Sequence, residues 1–248
     1  MVFSFQDYLE ELKFVTSFRR PSFGEVVFVT NLLARLNIRS DREVIYKETN
    51  GVPDYLFIRP RKLDPVVSRY IFTAHMDETV TESSHAHPFC REEHDRIKSH
   101  SLDNAVSVAF LLYVLRHMDI QVLFTTKEEV IRSWSQMEEV SKLYGGGKFI
   151  TFDTVYGMGG FDLIIPDIDD LGPLDMSLSS YLRYVINEHT IRSHVEMGRT
   201  EVGALSTYAG IRGSAVLFDV QQEGEVESVY KQLPLDAFNL VKNLLHET

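Results

Sequence analysis

Tyr70-Ile71-Phe72-Thr73-Ala74-His75-Met76-Asp77 decides the fold, because a β-rich apolar run leads directly into an imidazole and a carboxylate. Aromatic and β-branched side chains suit a pleated, buried surface, so residues 70–74 read as a strand that ends in chemistry. Upstream, Val44-Ile45-Tyr46 and Tyr55-Leu56-Phe57-Ile58 have the same character and are set apart by Gly, Pro and Asn turn signals. Downstream, Val122-Leu123-Phe124, Phe149-Ile150-Thr151-Phe152, Leu163-Ile164-Ile165 and Ala215 to Phe218 continue the series of strands.

Helical periodicity fills the intervals. Phe5, Tyr8, Leu9, Leu12 and Val15 recur at helical spacing, and a second apolar series runs from Val26 through Leu33 and Leu36 after the Pro21-Ser22-Phe23-Gly24 break. Val106, Ala109, Phe110, Tyr113 and Val114 line one side of a helix that starts after Asp103. Further helices are expected over Trp134 to Tyr144, Leu182 to Ile186, Glu201 to Tyr208 and Leu235 to Leu245. Strands and helices alternating in this way predict an α/β fold, with a mixed, mostly parallel central sheet sandwiched by helices. Residues 1–248 read as a single domain. The polar segment 80–101, which carries His85, His87, His94 and His100, interrupts the alternation as a long loop or a small hairpin excursion.

A chain of 248 residues, 44% of them hydrophobic, can bury a substantial core. Its net charge of -11 disfavours nucleic acid and anionic membrane surfaces as partners, since both would repel it. Cys90 is the only cysteine, which removes any intrachain disulfide and points to a reducing compartment. The opening residues lack a basic start and an apolar core, and no stretch has the length of a membrane span. A cytoplasmic protein is the expectation.

In open α/β sheets ligands bind beyond the carboxyl ends of the strands, so polar residues that follow strand runs are the candidates. His75 and Asp77 follow the first quoted run, Glu128 and Glu129 follow Val122 to Thr126, and Asp153 follows Phe149 to Phe152. Asp103 heads a helix, where the dipole favours a carboxylate. Taken singly, each has an ordinary reading: an N-cap for Asp103, a solvated pair for Glu128-Glu129, a turn residue for Asp153. Gathered at one sheet edge, however, these groups would repel one another unless cations sat among them. Nitrogen and oxygen donors without thiolate suit zinc, manganese or cobalt, with zinc favoured by the histidine.

Thr73-Ala74-His75-Met76-Asp77-Glu78, Leu102-Asp103-Asn104, Thr126-Lys127-Glu128-Glu129-Val130 and Phe152-Asp153 resemble, in order, the signatures of the co-catalytic metallo-aminopeptidases. The resemblance is strongest to the tetrahedral group that includes glutamyl aminopeptidases. Pro21-Ser22-Phe23-Gly24-Glu25 is similar to that group's Pro-Ser-Gly-x-Glu stretch, and Gly198-Arg199-Thr200-Glu201-Val202-Gly203-Ala204 to its Gly-Gly-Thr-Asp-Ala segment. Carried over residue by residue, the resemblance implies that Asp103 bridges two metals, that His75 and Asp153 complete one site, and that Glu129 serves the other. It makes Glu128 the general base and Asp77 the group that orients His75.

This chain departs from the family in three places. The family's last ligand is a histidine after the final core strand, where this chain has Gln221-Gln222-Glu223-Gly224-Glu225, leaving Glu223, His189 and His194 as substitutes. An inserted dimerisation domain is replaced by residues 80–101, and the Thr-Asp-Ala aspartate by Glu201. The resemblance implies a hydrolase that releases N-terminal residues from short peptides with one or two divalent ions. Carboxypeptidase or deacylase chemistry on the same broad fold is a further expectation. The missing histidine motivates another, in which a catalytically impaired relative works as a binding or assembly module. A homo-oligomer is compatible with either.

Overall fold

The computed structural model describes residues 1–21, 24–36, 41–62, 64–78, 89–126, 128, 133–145, 147–156, 163–186, 191–192, 196–197, 200–224 and 226–246. Two helices, α1 (Phe5–Thr16) and α2 (Val26–Arg35), open the chain as expected. The antiparallel pair β1 (Arg42–Thr49) and β2 (Val52–Pro60) follows, joined by a tight turn in which Asn50 and Gly51 both adopt positive φ. Then come β3 (Tyr70–His75), β4 (Cys90–Glu93), β5 (Arg96–Ser99), α3 (Ala105–His117), β6 (Gln121–Thr125), α4 (Trp134–Tyr144) and β7 (Lys148–Tyr156). Short strands β8 (Leu163–Ile164) and β9 (Ile168–Asp169) lead into α5 (Met176–Ile186). The rest is β10 (Ile191–Arg192), β11 (Glu196–Met197), α6 (Glu201–Ala209), β12 (Ser214–Glu223), β13 (Val226–Tyr230) and α7 (Gln232–His246).

The main sheet runs β1-β2-β6-β3-β7-β12-β13-β5-β4, and β8 and β10 join it through β12. It is a mixed sheet sandwiched by helices, and along this path its parallel part is the β6-β3-β7-β12 block; both flanks are antiparallel. The reason is connectivity. Helical crossovers join parallel strands, whereas the short turns between β1 and β2, β4 and β5, and β12 and β13 permit only antiparallel pairing.

The described part of the 80–101 segment takes the hairpin alternative and is not a loop throughout. Residues 90–99 form a hairpin that extends the main sheet through β13, turning at His94 with φ 56°. Strand β13 was not anticipated, and α5 starts at Met176 rather than Leu182 because Leu178 and Ser179 already face the core. Helix α7 starts at Gln232, and Pro234 is accommodated within its first turn.

Alternation along the central strands sorts the core into two layers. Tyr70, Phe72 and Ala74 of β3, with Ile150 and Phe152 of β7, face α1, α2, α3, α5 and α7. Ile71, Leu123, Phe149, Ala215 and Leu217 face α4 and α6. Helix α3 is buried over Ala105 to Leu115, as an all-round apolar helix must be. Its Phe110 ring lies 4.9 Å from Phe152 and 5.8 Å from Phe218, tying the helix to two adjacent parallel strands. On the opposite side, Trp134 at the start of α4 stacks on Tyr208 of α6, with centroids 5.0 Å apart and planes inclined by 26°. Among the described residues no helix is long and apolar enough to cross a membrane.

Phe110→Ala should therefore lower the unfolding free energy by about 3–5 kcal/mol in chemical denaturation. Tyr184→Ser, at a side chain 75% exposed, should shift it by less than about 0.5 kcal/mol.

Candidate metal centre

The face covered by α4 and α6 changes character along the parallel strands. It is apolar at Ile71, Leu123 and Phe149, then carries Thr73, Thr125 and Thr151, and then His75 and Asp153. The pairing of Thr73 with Thr151 places His75 and Asp153 at matching heights on neighbouring strands, so both project to one side. Thr73 and Thr151 hydroxyls lie 2.6 Å apart, and Glu201 of α6 accepts from Thr73 at 3.1 Å and from Thr125. A buried polar layer thus separates the apolar core from the ligating groups.

His75 is the hub. Its Nε2 lies 3.2 Å from Asp153 Oδ1 and 3.7 Å from Asp103 Oδ1, while Nδ1 lies 3.0 Å from the Asp77 carbonyl. That carbonyl accepts only from an Nδ1–H, which leaves Nε2 as the nitrogen facing the two aspartates. Asp77 Oδ1 is 3.6 Å from Nδ1 and accepts the Glu128 backbone N–H at 3.1 Å. One carboxylate therefore ties the His75 strand end to the loop carrying Glu128. Asp103 sits just before α3, after a Leu102 anchored in the core, and the Thr154 hydroxyl donates to its Oδ1. The next residue, Asn104, donates from Nδ2 to the Phe152 carbonyl at 3.0 Å, and the Asp103–Asn104 peptide is cis.

The structure thus brings His75, Asp103 and Asp153 together, each offering one donor atom within 4.8 Å of the others. Asp77 and Glu128 stand beside this cluster. Glu129, His189 and His194 lie outside the described residues. Glu223 ends β12 with its side chain 65% exposed and its carboxylate 3.7 Å from Lys98 Nζ, away from the cluster. The threonine layer was missed in the sequence; its signal was a threonine two residues beyond an apolar residue on the same face of β3, β6 and β7.

The electrostatics favour a cation. Burial opposes charging of His75, but the charge and hydrogen bond of Asp153, the Asp77 contact and the Glu128 charge outweigh it and hold the imidazole well above its usual range. Burial likewise pushes the Glu201 carboxyl up to about 7, against the opposing pull of His75 and the threonine hydroxyls. Protons here offset negative charge that a divalent ion would offset more fully. One imidazole nitrogen and carboxylate oxygens, without thiolate and with the imidazole oriented from behind, fit such an ion.

The α/β sandwich matches the folds of solved aminopeptidase structures. Over 98% of this chain and 96% of the other, the fold matches Aminopeptidase APDkam598 from the archaeon Desulfurococcus kamchatkensis, with a TM-score of 0.77 and 15% identity. The TET aminopeptidase from the marine sediment archaeon Thaumarchaeota archaeon SCGC AB-539-E09 matches over 97% of both chains, with a TM-score of 0.77 and 11% identity. The Pyrococcus horikoshii TET1 peptidase matches over 97% of this chain and 100% of that one, with a TM-score of 0.73 and 13% identity. No family model and no curated protein matches the sequence. At these identities the likeness is one of fold.

Glu201 makes stability depend on pH. Its folded pKa of about 7 exceeds the ordinary 4.5, so the fold holds that proton more tightly than the unfolded chain does. The resulting stabilisation is complete below pH 4.5 and lost as pH rises through 7, amounting to about 3 kcal/mol. In chelator-treated protein, Glu201→Gln should flatten the fall in melting temperature over that window; an unaltered slope would show that Glu201 does not titrate there.

Proposed function

We propose that the chain is a divalent-metal-dependent hydrolase of the aminopeptidase type, releasing N-terminal residues from short peptides. The observation that carries this reading is the convergence of His75, Asp103 and Asp153, from three separate segments, on one point at the carboxyl edge of the parallel strands.

In this reading His75 and Asp153 would hold one ion, zinc by preference with manganese or cobalt as alternatives, Glu129 would serve a second, and Asp103 would serve both. When bound, the ions polarise the scissile carbonyl and make water more acidic. Glu128 accepts the proton of the attacking water and returns it to the leaving amine. Its backbone is fixed by Asp77, which also orients His75, so base and ligand are positioned by one residue. Self-association fits this reading, since the Pyrococcus horikoshii TET1 peptidase can assemble into a tetrahedron or a large octahedral shell. The same reading has residues 1–248 acting as one domain, in the cytoplasm, with no nucleic acid or membrane partner.

Glu223 favours the second reading, a catalytically impaired binding or assembly module. Glu223, one of the candidates to replace the family's final histidine, turns to solvent and Lys98 instead.

Metal analysis of protein purified without chelator, together with fluorogenic aminoacyl substrates in added zinc, manganese or cobalt, separates the two readings. Bound metal and turnover are expected, with Glu128→Gln lowering kcat by about 10²–10⁴-fold at unchanged metal content. Absence of both under every ion would leave the module. Asp77→Asn should weaken metal binding by about 10–100-fold. Asp103→Asn should weaken it more, and equal effects would count against a bridging role.

A further inference from the structure

Glu227 lies on β13, opposite Gln222 of β12 and Ser99 of β5, on the antiparallel flank beside the metal centre. A glutamate on such a strand ordinarily faces water. This one turns inward. Its Oε2 accepts the Leu102 backbone N–H, the Asp103 backbone N–H faces the same carboxylate, and Oε1 accepts the Tyr156 hydroxyl at 2.9 Å.

Those amides need a partner from outside their own segment. Residues 101–104 precede α3 and belong to no strand, so neither a helix nor a ladder supplies acceptors for them. Ser101, directly upstream, is held by Arg20 at 3.2 Å and by Glu78, and Arg20 also bonds the Met76 carbonyl at 3.0 Å. The Asp103 side chain is fixed separately, by Thr154. Main chain and carboxylate of this one ligand are thus anchored by different residues.

We infer that Glu227 is a positioning residue for the metal centre, holding the main chain of Leu102 and Asp103 so that the Asp103 carboxylate stays at the distance His75 and Asp153 require. The inference rests on the proposed metal centre. It differs from a purely structural role in one respect: loss of Glu227 acts on the ion through Asp103, and has no effect on it once Asp103 cannot ligate.

The test is calorimetric titration of the chelator-stripped full chain with Mn²⁺ alone and, separately, with Zn²⁺ alone, for wild type, Glu227→Ala, Asp103→Asn, the double variant and Tyr156→Phe. Glu227→Ala removes the acceptor and should weaken binding by about 10–100-fold, the usual effect of removing a group that supports a ligand. On the Asp103→Asn background it should add less than about twofold, because the two substitutions break the same link. Tyr156→Phe removes only a rim hydroxyl at a half-exposed side chain and should weaken binding severalfold; should Glu227→Ala fail to fold, unchanged affinity in Tyr156→Phe overturns the inference. Wild-type binding with Glu227→Ala within twofold of it overturns the inference and leaves the metal centre standing, as does a full additive loss in the double variant. A wild-type chain that binds neither Mn²⁺ nor Zn²⁺ overturns both.

Discussion

The structure depends on holding like charges close together away from water. Asp153, Asp103 and Asp77 all approach the ring of His75, and two of the three are almost fully buried. At an effective dielectric constant near 20, two unit charges 4 Å apart interact by about 4 kcal/mol, a large part of the roughly 5–15 kcal/mol by which a domain is stable. Such a cluster persists only with positive charge at its centre or protons on some of its members. Both solutions use the same geometry.

The sheet supplies the stiffness that this cluster needs. Four parallel strands place their ends side by side, and a layer of threonine hydroxyls with Glu201 beneath the site gives the acidic groups a polar floor. The antiparallel flanks add what parallel strands cannot. Strand β12 pairs with β7 along its inner edge and divides its outer edge between β8 and β13, which brings a strand from outside the parallel block beside the Asp103 turn. Arg20 does the equivalent from the N-terminal side, where its buried guanidinium joins Met76, Glu78 and Ser101.

Much of this was legible in the sequence where local pattern and burial agree. Residues 70–74 are apolar on both faces because helices cover both faces, and the 134–144 helix follows its apolar spacing to the residue. His75 and Asp103 were visible because one ends a strand and the other precedes a helix, and Asp153 because it follows the apolar run 149–152, although β7 continues to Tyr156. Pairing register was not legible, since it depends on residues far apart in the chain. The sequence left the 90–99 hairpin undecided against a long loop because Cys90-Arg91-Glu92-Glu93 and Arg96-Ile97-Lys98-Ser99 are mostly charged; Ile97 and Ser99 alone turn fully inward. Glu227 was hidden for a related reason. Glu223, Gly224 and Glu225 around it look like a solvated turn, and the amides that recruit its carboxylate lie 125 residues away.

Trp134 is the only tryptophan of the chain, and its indole rests on Tyr208, spanning the pair of helices that roofs the ligand-bearing face. Light absorbed by the indole alone therefore reports on a single known place. The ring stands six residues beyond Glu128, at the far end of the loop between β6 and α4. The stacked ring is thus an optical gauge built into the two helices over the ligand-bearing face, one that needs no label.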